Sequence, residues 1–432
     1  MKRRNIEKLF AGIAVVLMAG CSSAAASAEE NTSSKTIETA VSETAESKTA
    51  SQENTQGVNT SIDVSVSGMM SADDIFTDRD LKQTADLTSA VNYTVSDNSD
   101  ITITSEGVYV ISGTAEDCTI IVDAASEDKV QIVLDAVSIT NTDSPAIYVK
   151  SADKVFITTT DSVNTLTVTG AFTADGTTNT DAVIFSKDDI VINGTGTLNI
   201  SSTGNGITSK DDLKITGGTL NITCTDDALE ANDSVAIAGG DITITTDKDG
   251  IHCENDEDDT VGYVYICGGT LDITSDDDGI HGTTIVQIDG GTIIVNGHEG
   301  IEGTYVQIND GTITVNASDD GINAARKSNS YTPTVEINGG DLTIKMGSGD
   351  TDAIDSNGNL YITGGNITIT AQFAFDYDGA GQMTGGTVIV NGTQITALTN
   401  SMMGGGMQGG FGGQQGGFGG QQGGFGGHKG GH

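Results

Sequence analysis

The stretch "VQIDGGTIIVNGHEGIEG", residues 286–303, contains the pattern on which the fold depends. Its first segment, VQI, alternates apolar and polar residues, which is typical of a β-strand with one buried face. Gly290 and Gly291 then predict a bend, because glycine adopts a positive φ at little cost. A second strand, TIIV, follows at once, and the Gly-Ile pair at 300–301 predicts a third, short strand.

The same three-strand pattern recurs along the chain. First-strand copies include "LKITGG" (213–218), "VAIAGG" (235–240), "VYICGG" (264–269) and "VEINGG" (335–340), and the Gly or Ala before the third strand falls at 206, 228, 250, 279, 300, 321 and 353. Three strands per roughly 22 residues predict an all-β fold, a right-handed parallel β-helix whose coils stack about 4.8 Å apart. A β-sandwich is the alternative for a long Thr-rich chain, and the fixed period argues against it. Residues 75–180 repeat less regularly and are interpreted as irregular, capping first coils.

The two ends of the chain differ from this repeat. Residues 1–20 predict an export signal, because Lys2, Arg3 and Arg4 precede a short apolar run. The "LMAGC" motif (17–21) resembles a bacterial lipobox, which implies lipidation of Cys21 and a protein anchored to the extracellular face of the membrane through lipid only. The alternative is an ordinary secretion signal cleaved near "SAAASA" (23–28).

Composition divides the mature part into three regions. Residues 21–70 form a Ser/Thr/Ala/Glu linker that we expect to be disordered, residues 71–400 form the β-helix domain, and residues 401–432 form a Gly/Gln/Phe tail. The tail is too poor in apolar residues to form a core, and we expect it to make cell-wall or self contacts.

The charge balance limits the classes of partner. The chain has 60 acidic and 19 Lys or Arg residues, for a formal net charge of −41. Such a field repels nucleic acid and anionic lipid, and attracts cations. Beyond Cys21 the chain has Cys118, Cys224, Cys253 and Cys267; either Cys253 pairs with Cys267, or all four are buried thiols.

Acidic residues collect at one corner of every coil, on both sides of the Gly-Ile element. Side chains in register at this corner would repel each other without cations, and dense carboxylate oxygens suit Ca²⁺. Turn preference explains one Asp in each bend, but it does not explain two or three. The predicted calcium ligands are Asp226, Asp227, Glu230, Asp247, Asp249, Asp276, Asp277, Asp278, Glu299, Glu302, Asp319, Asp320, Asp350, Asp352 and Asp355.

Two histidines fall in the same outward column. His252 and His281 are predicted to stack beside Glu302, where they either contact a ligand, remain solvated, or hold a softer metal such as Zn²⁺. The outward column of the first strands contains Tyr265, Gln287, Gln307 and Tyr361, which predict a flat polar face able to lie along an extended polysaccharide. An ordinary solvated sheet is the competing interpretation.

Three segments carry a resemblance to a known family. They are "DIFTDRDLKQT" (74–84), "KVQIVLDAVSITNTDSPAIYVKSADKVFITT" (129–159) and "GITSKDDLKITGGTLNITCTDDALEANDSVAIAGGDITITTDKDGIHCEN" (206–255). Together they resemble a family of bacterial secreted carbohydrate-binding domains. The resemblance implies a right-handed parallel β-helix similar to pectate-lyase-type polysaccharide lyases, calcium binding, and cellulose-like or polygalacturonate-type ligands.

Three functions follow from these observations. The first is a non-catalytic, calcium-binding module for a polysaccharide, in which calcium bridges to uronate carboxylates. The second is a calcium-dependent lyase, which needs a basic side chain of lowered pKa; Lys248 and Arg326 are the candidates, although surrounding acids raise the pKa of a lysine. The third is a structural surface protein or adhesin that uses the tail.

Overall fold

The computed structural model describes residues 70–255, 257–349 and 351–400. The predicted signal, Cys21, residues 21–69 of the linker, Asp350 and the 401–432 tail lie outside the described residues. Within them, no helix has the length and apolar character needed to cross a bilayer.

The described chain consists of one short helix and a long succession of strands. The helix α1 is Ala72–Ile75, and the first strands are β1 Val91–Thr94, β2 Ile101–Ile103, β3 Gly107–Glu116, β4 Ile120–Asp123, β5 Lys129–Asn141, β6 Ile147–Ser151, β7 Lys154–Thr159, β8 Val163–Val168 and β9 Ala182–Ser186. The central strands are β10 Asp189–Gly194, β11 Thr197–Ser201, β12 Asn205–Ser209, β13 Asp212–Ile215, β14 Thr219–Cys224, β15 Leu229–Ala231, β16 Ser234–Ile237, β17 Asp241–Thr246, β18 Ile251–Cys253, β19 Tyr263–Ile266 and β20 Thr270–Ser275. The last strands are β21 Ile280–Ile288, β22 Thr292–Gly297, β23 Ile301–Ile308, β24 Thr312–Ala317, β25 Ile322–Ala324, β26 Thr334–Ile337, β27 Asp341–Met346, β28 Asp352–Ser356, β29 Asn359–Ile362, β30 Asn366–Thr370, β31 Phe373–Phe375, β32 Gly381–Met383, β33 Thr387–Val390 and β34 Thr393–Ile395.

Pairing between these strands confirms the parallel β-helix. Face 1 contains the first strand of each coil, such as β13, β16 and β19; face 2 contains the second, such as β14, β17 and β20; face 3 contains the third, such as β15, β18 and the start of β21. Each strand from β1 to β33 pairs in parallel with its counterpart one coil away. Four long strands (β3, β5, β21 and β23) bend from one face to the next, so the three faces form one continuous sheet. The handedness stays a prediction.

Apolar columns hold the coils together. On face 3, Leu229, Ile251, Ile280, Ile301 and Ile322 are in register in successive coils, and none of them is exposed. Each buried side chain of this size contributes about 1.5–3 kcal/mol relative to leaving it exposed. A single coil cannot bury its own apolar edge, so stability depends on the continuity of the stack.

Glycine is required at two points in the repeat. Gly240 has a φ of 106°, in the left-handed region, at the bend between faces 1 and 2. Gly279, before face 3, is required for close approach, because a Cβ there would lie 2.0 Å from Val295 Cγ1. The repeated Gly of the sequence is therefore fixed by both backbone conformation and packing.

The stack begins later than the sequence pattern suggested. The first coil strand is β1, and residues 70–83, which we call the strap, run outside the coils across face 1. The interpretation of residues 75–90 as part of the first coils is therefore wrong, whereas the strands from β1 onward join the parallel stack with local register shifts.

At the other end of the described chain, β34 turns back antiparallel onto β33. All four described cysteines are free, with Cys118, Cys224 and Cys253 buried and Cys267 half-buried.

Candidate functional site

The predicted acid corner forms one continuous column on face 3. Glu230, His252, His281, Glu302, Asn323 and Asp355 are in register in six successive coils. Their side chains point away from the apolar core, as the alternation predicted. His281 and Glu302 are nevertheless buried, because the insertions at 254–263 and 326–334 fold against the corner. The two insertions also meet through a hydrogen bond from the Ser330 hydroxyl to the Asp259 carbonyl.

The acid that precedes each Gly has a structural role in the corner. Asn205 Oδ1 accepts the Asp227 N–H at 2.9 Å, Asp227 Oδ1 accepts the Asp249 N–H at 3.2 Å, and Asp249 Oδ1 accepts the Asp278 N–H at 3.0 Å. Asp320 and Asp352 repeat this contact further along. One carboxylate oxygen each of Asp227, Asp249 and Asp320 therefore satisfies a backbone donor, and the other is left for a cation or a side chain.

We define the His–acid cluster as Asp249, His252, Asp278, His281 and Glu302. His252 Nδ1 lies 2.5 Å from Asp249 Oδ2, and His281 Nδ1 lies 3.1 Å from Asp278 Oδ2 and 3.4 Å from Glu302 Oε2. The two imidazole ring centroids are 4.8 Å apart. This cluster brings together acids that were predicted to bind calcium and histidines that were predicted to contact a ligand, to remain solvated or to hold a softer metal.

The pKa values of the two histidines are shifted in opposite directions. Burial disfavours protonation of His252, but its hydrogen bond to Asp249 and the charge of Asp227 outweigh burial and raise its pKa to about 9. Burial, reinforced by the charge of His252, lowers the pKa of His281. His252 is therefore the more basic of the two imidazoles, and it lies among several carboxylates.

We define the C-terminal acid cluster as Asp320, Asn323, Asp352, Asp355 and Asp376. Burial and the charge of Asp320 raise the pKa of Asp355 to about 7, with further contributions from Asp376 and Asp352. Burial also raises the pKa of Asp320 to about 6. Asn323 Nδ2 donates to Glu299 and Glu302, while its buried Oδ1 has no hydrogen-bond partner within the described chain. Oxygen atoms alone, in a negative and half-buried setting, suit a hard cation.

The remaining predicted acids fall into three environments. Glu230 is engaged by Lys210, Asn205 and Thr208, and Asp226 forms an exposed ion pair with Lys248. Glu299, whose pKa burial and Glu302 raise to about 7, lies close to His298 and Asp319. Asp277 lies close to Asp249 and Asp278, whereas Asp247 and Asp276 are exposed in the turns. The part of the acid corner with ligand atoms closest together is therefore in the central coils.

Face 1 is not the open polar face that the sequence predicted. Tyr265 is 1% exposed, Gln287 1% and Gln307 4%, while Tyr361 is half-buried. The strap covers the first two: Phe76 packs on Tyr265, and the Met70 N–H and carbonyl both bond the Gln287 side-chain amide. Gln307 bonds Glu336, which also accepts a hydrogen bond from Tyr305. Tyr265, Gln287 and Gln307 are occupied by the chain itself and offer no free surface to a polysaccharide in this conformation.

An open groove lies instead between face 2 and the acid corner. It is lined by Thr274, Asn296, Asn316 and Lys345, which are in register in four successive coils, and by Asp276 and His298 beside them. Asn316 Nδ2 donates to Asn296 Oδ1 at 2.9 Å. The sequence analysis did not predict this groove. The available signal was the polar residue that ends each second strand, one position after the last apolar residue of the alternating pattern.

The lyase candidates lack the environment that a base needs. The charges and hydrogen bond of Asp226 outweigh partial burial and raise the pKa of Lys248, which is the wrong direction for proton abstraction at neutral pH. Arg326 is exposed at the start of its insertion. The neighbouring Lys327, which sequence reasoning did not single out, is the basic residue that contacts the cluster, at 2.8 Å from Glu302 Oε2.

Comparison with known proteins assigns the fold to a family. A family model described as carbohydrate-binding domain-containing protein matches residues 97–347 and 296–403, more than half of the chain. The chain belongs to this family. A relative of the same description from Acetivibrio thermocellus is 42% identical over 125 residues. That match covers 28% of this chain and 43% of the relative, so the chain spans less than half of the relative's length.

A solved structure is also similar to this chain. It is the polysaccharide lyase-like protein from C. thermocellum, solved as a gadolinium derivative, with 36% identity and a TM-score of 0.47. The match covers 51% of this chain and 95% of that one.

Proposed function

We propose that this member of the carbohydrate-binding domain family is a non-catalytic module that binds an extended, acidic polysaccharide of the polygalacturonate type, with calcium as its cofactor. The observation that supports it best is the groove lined by Thr274, Asn296, Asn316 and Lys345. Hydroxyl, amide and ammonium groups repeat there in successive coils, so the groove runs along the stack and suits a long ligand. Such groups donate hydrogen bonds to sugar hydroxyls and carboxylates.

Calcium is assigned in this proposal to the C-terminal acid cluster. Asp320 and Asp355 supply carboxylates, and Asn323 Oδ1 supplies an amide oxygen that has no other partner in the described chain. A divalent cation would offset the burial and the charge repulsion that raise the pKa of both carboxyl groups. With part of its coordination shell open, it would also bridge to uronate carboxylates, which the acidic surface otherwise repels.

The proposal extends to the position of the protein in the cell. A lipid on Cys21 would hold the module on the extracellular face of the membrane. The linker would then give it reach, and the Gly-rich tail would contact cell wall or other copies. A cellulose-like ligand, a lyase activity and a purely structural role are outcomes that the experiment below separates.

The test is co-sedimentation of the purified chain with insoluble polygalacturonate, in calcium and in chelator, with the ultraviolet absorbance of unsaturated uronide recorded in parallel. We expect calcium-dependent co-sedimentation and flat absorbance. Rising absorbance would replace the module by a lyase. Co-sedimentation with cellulose alone would replace the acidic ligand by a neutral one, and binding to neither would move the function to a structural role.

A matched pair of variants locates the binding surface. Asn296→Ala with Asn316→Ala removes the amide pair of the groove, and we expect about tenfold weaker binding from two lost hydrogen bonds. The control is Asn199→Ala with Asn221→Ala, which removes an identical pair on face 2, also bonded at 2.9 Å. Equal losses in both variants would contradict the groove assignment.

A second pair tests the cation. Asp320→Asn with Asp355→Asn should abolish the dependence of binding on calcium, because both proposed carboxylate ligands are replaced by neutral amides. The exposed Asp272→Asn removes one negative charge from face 2 and should leave that dependence unchanged. An undiminished calcium dependence in the double variant would remove calcium from this cluster.

A further inference from the structure

The His–acid cluster has a different ligand chemistry from the C-terminal acid cluster. One ligand atom each from Asp249, His252 and His281 lie within 4.8 Å of one another, and the same holds for Asp249, Asp277 and Asp278. Asp278 Oδ2 is 3.1 Å from His281 Nδ1. Two imidazole nitrogens and a carboxylate oxygen of Asp249 therefore converge between two successive coils, and Asp278 lies beside His281.

The orientation of these side chains is fixed by contacts on their far sides. Asp249 Oδ1 accepts the Asp278 N–H at 3.0 Å, which leaves Oδ2 directed toward both histidines, 2.5 Å and 4.0 Å from their Nδ1 atoms. His252 Nε2 meets Glu254 Oε2 at 3.1 Å. A carboxylate on the distal nitrogen of a histidine is the usual second contact of a metal-bound imidazole, because it fixes the ring and raises its basicity.

Burial also favours a bound ion at this position. Asp249 is 6% exposed, Asp278 7% and His281 9%. Tetrahedral zinc, with bonds of about 2.0–2.1 Å to nitrogen and oxygen, places its ligand atoms about 3.3 Å apart. The 3.1 Å separation of His281 Nδ1 and Asp278 Oδ2 is near that value, and the 2.5 Å contact of His252 with Asp249 would lengthen as an ion displaces the shared proton.

We propose that Asp249, His252 and His281, with Asp278 beside His281, form a binding site for a transition-metal ion of the zinc class. Two imidazole ligands distinguish it from a calcium site, because Ca²⁺ takes oxygen ligands almost alone. Glu302 is excluded from the ligand set, since Lys327 and Asn323 already occupy its two oxygens. The site lies two coils from Asn323 of the C-terminal acid cluster.

The test must first remove the histidines of the tail. The chain has five histidines, and His428 and His432 lie in the Gly-rich tail, where they offer adventitious imidazole ligands. The reference protein is therefore the full chain with His428→Asn and His432→Asn. We expect one Zn²⁺ per chain after dialysis, retained in the presence of excess Ca²⁺, and visible Co²⁺ absorption bands of tetrahedral intensity.

Three variants of the reference protein assign the ligands. His281→Asn should weaken Zn²⁺ binding about 100-fold or more, and Glu254→Gln, half-exposed and remote from the core, should weaken it about 10- to 100-fold. His298→Asn, the exposed histidine at the same corner, should change it less than about twofold. Circular dichroism checks that each variant is folded.

Two results would overturn the assignment. One is failure of the reference protein to retain zinc, which would leave the histidines as members of an ion-pair network only. The other is equal affinity in His281→Asn and His298→Asn. Polygalacturonate binding is measured on the same samples; its failure affects the proposed function and leaves the zinc assignment standing.

Discussion

Faces 1 and 2 of the β-helix are built from the same alternating pattern but have different surroundings. On face 1, the outward residues Lys214, Ala236 and Tyr265 are almost fully buried beneath the strap. On face 2, Thr243 and Ile294 occupy equivalent outward positions and are exposed. Alternation identifies which side chains point away from the core. It does not determine whether water or another part of the chain lies beyond them.

The strap is joined to face 1 by buried polar contacts. Asp80 is fully buried, 3.6 Å from Lys154, and its carbonyl accepts the Thr216 hydroxyl at 2.6 Å. Lys214 donates to the Ile75 carbonyl at 2.6 Å. Tyr265 and Gln287, two of the four face 1 residues that suggested sugar binding, are therefore explained by recognition of the chain's own strap.

The largest effect should come from removing the aromatic anchor of the strap. Phe76 is 6% exposed and packs against Tyr265, with ring centroids 6.4 Å apart. Phe76→Ala should destabilise the docked strap by about 3–5 kcal/mol, through lost burial and the cavity that remains. Hydrogen exchange of β19 and of the end of β21 should then accelerate. The control Leu81→Ala alters a 47% exposed strap residue and should leave exchange unchanged; equal exchange in the two variants would contradict this role for Phe76.

A smaller effect should follow from Gln287→Ala. This change removes both hydrogen bonds between the side-chain amide and the Met70 backbone, at 3.1 Å and 2.9 Å, and leaves buried backbone groups without them. We expect a loss of about 1–3 kcal/mol in the free energy of docking, read from protease cleavage within the strap. Gln394→Ala, at an exposed position in β34, serves as the control. Cleavage at the control rate would mean that Met70 is held by other contacts.

The difference between the faces also defines how far the sequence predicts this molecule. The coils, their register and the His252–His281–Glu302 column follow from the repeat, because every coil must place its Ile in one continuous core. Docking of the strap is a single non-local contact without a period, so no repeat predicts it. The apolar pair Ile75 and Phe76 in an otherwise polar segment was the available signal.

The residue types at the site could be predicted from the sequence, whereas their burial could not. Sequence analysis placed the acids and histidines at one corner, where the structure also has them. It treated them as exposed, because the insertions at 254–263 and 326–334 interrupt the period. The insertions fold back over the corner through contacts such as that of Lys327 with Glu302, which no repeat predicts. Burial beneath these insertions removes water from the carboxylates and so raises their pKa values, whereas the ion pair with Lys327 acts in the opposite direction on the pKa of Glu302.

The acid corner differs from both faces in its expected response to pH. Burial raises the pKa of Asp278 and Asp320 to about 6, and of Glu299 and Asp355 to about 7. Each carboxyl group binds its proton more tightly in the folded than in the unfolded chain, so its stabilising contribution is full at low pH and is lost as pH rises through 6–7. In chelator, we expect the melting temperature to fall by a few degrees between pH ~5.5 and pH ~8.

Excess calcium provides the control for this pH dependence. A cation bound at the C-terminal acid cluster replaces the protons that Asp320 and Asp355 otherwise hold, so the melting temperature should vary less with pH. Asp320→Asn with Asp355→Asn should reduce the dependence in chelator. A melting temperature that rises with pH in chelator would contradict the raised pKa values.

The smallest effect should come from the open face itself. Ile294 is 39% exposed on face 2, in register with Asp272 and Thr314, which are both polar. Ile294→Thr keeps the β-branched shape that suits a strand and replaces a partly exposed ethyl group with a hydroxyl group, so the free energy of unfolding should change by less than about 0.5 kcal/mol. Urea denaturation measures the change, and Tyr265→Thr at the equivalent outward position of face 1 is the comparison. Equal losses in the free energy of unfolding would mean that the strap contributes little to the stability of face 1. The two faces would then differ in solvent accessibility but not in energetics.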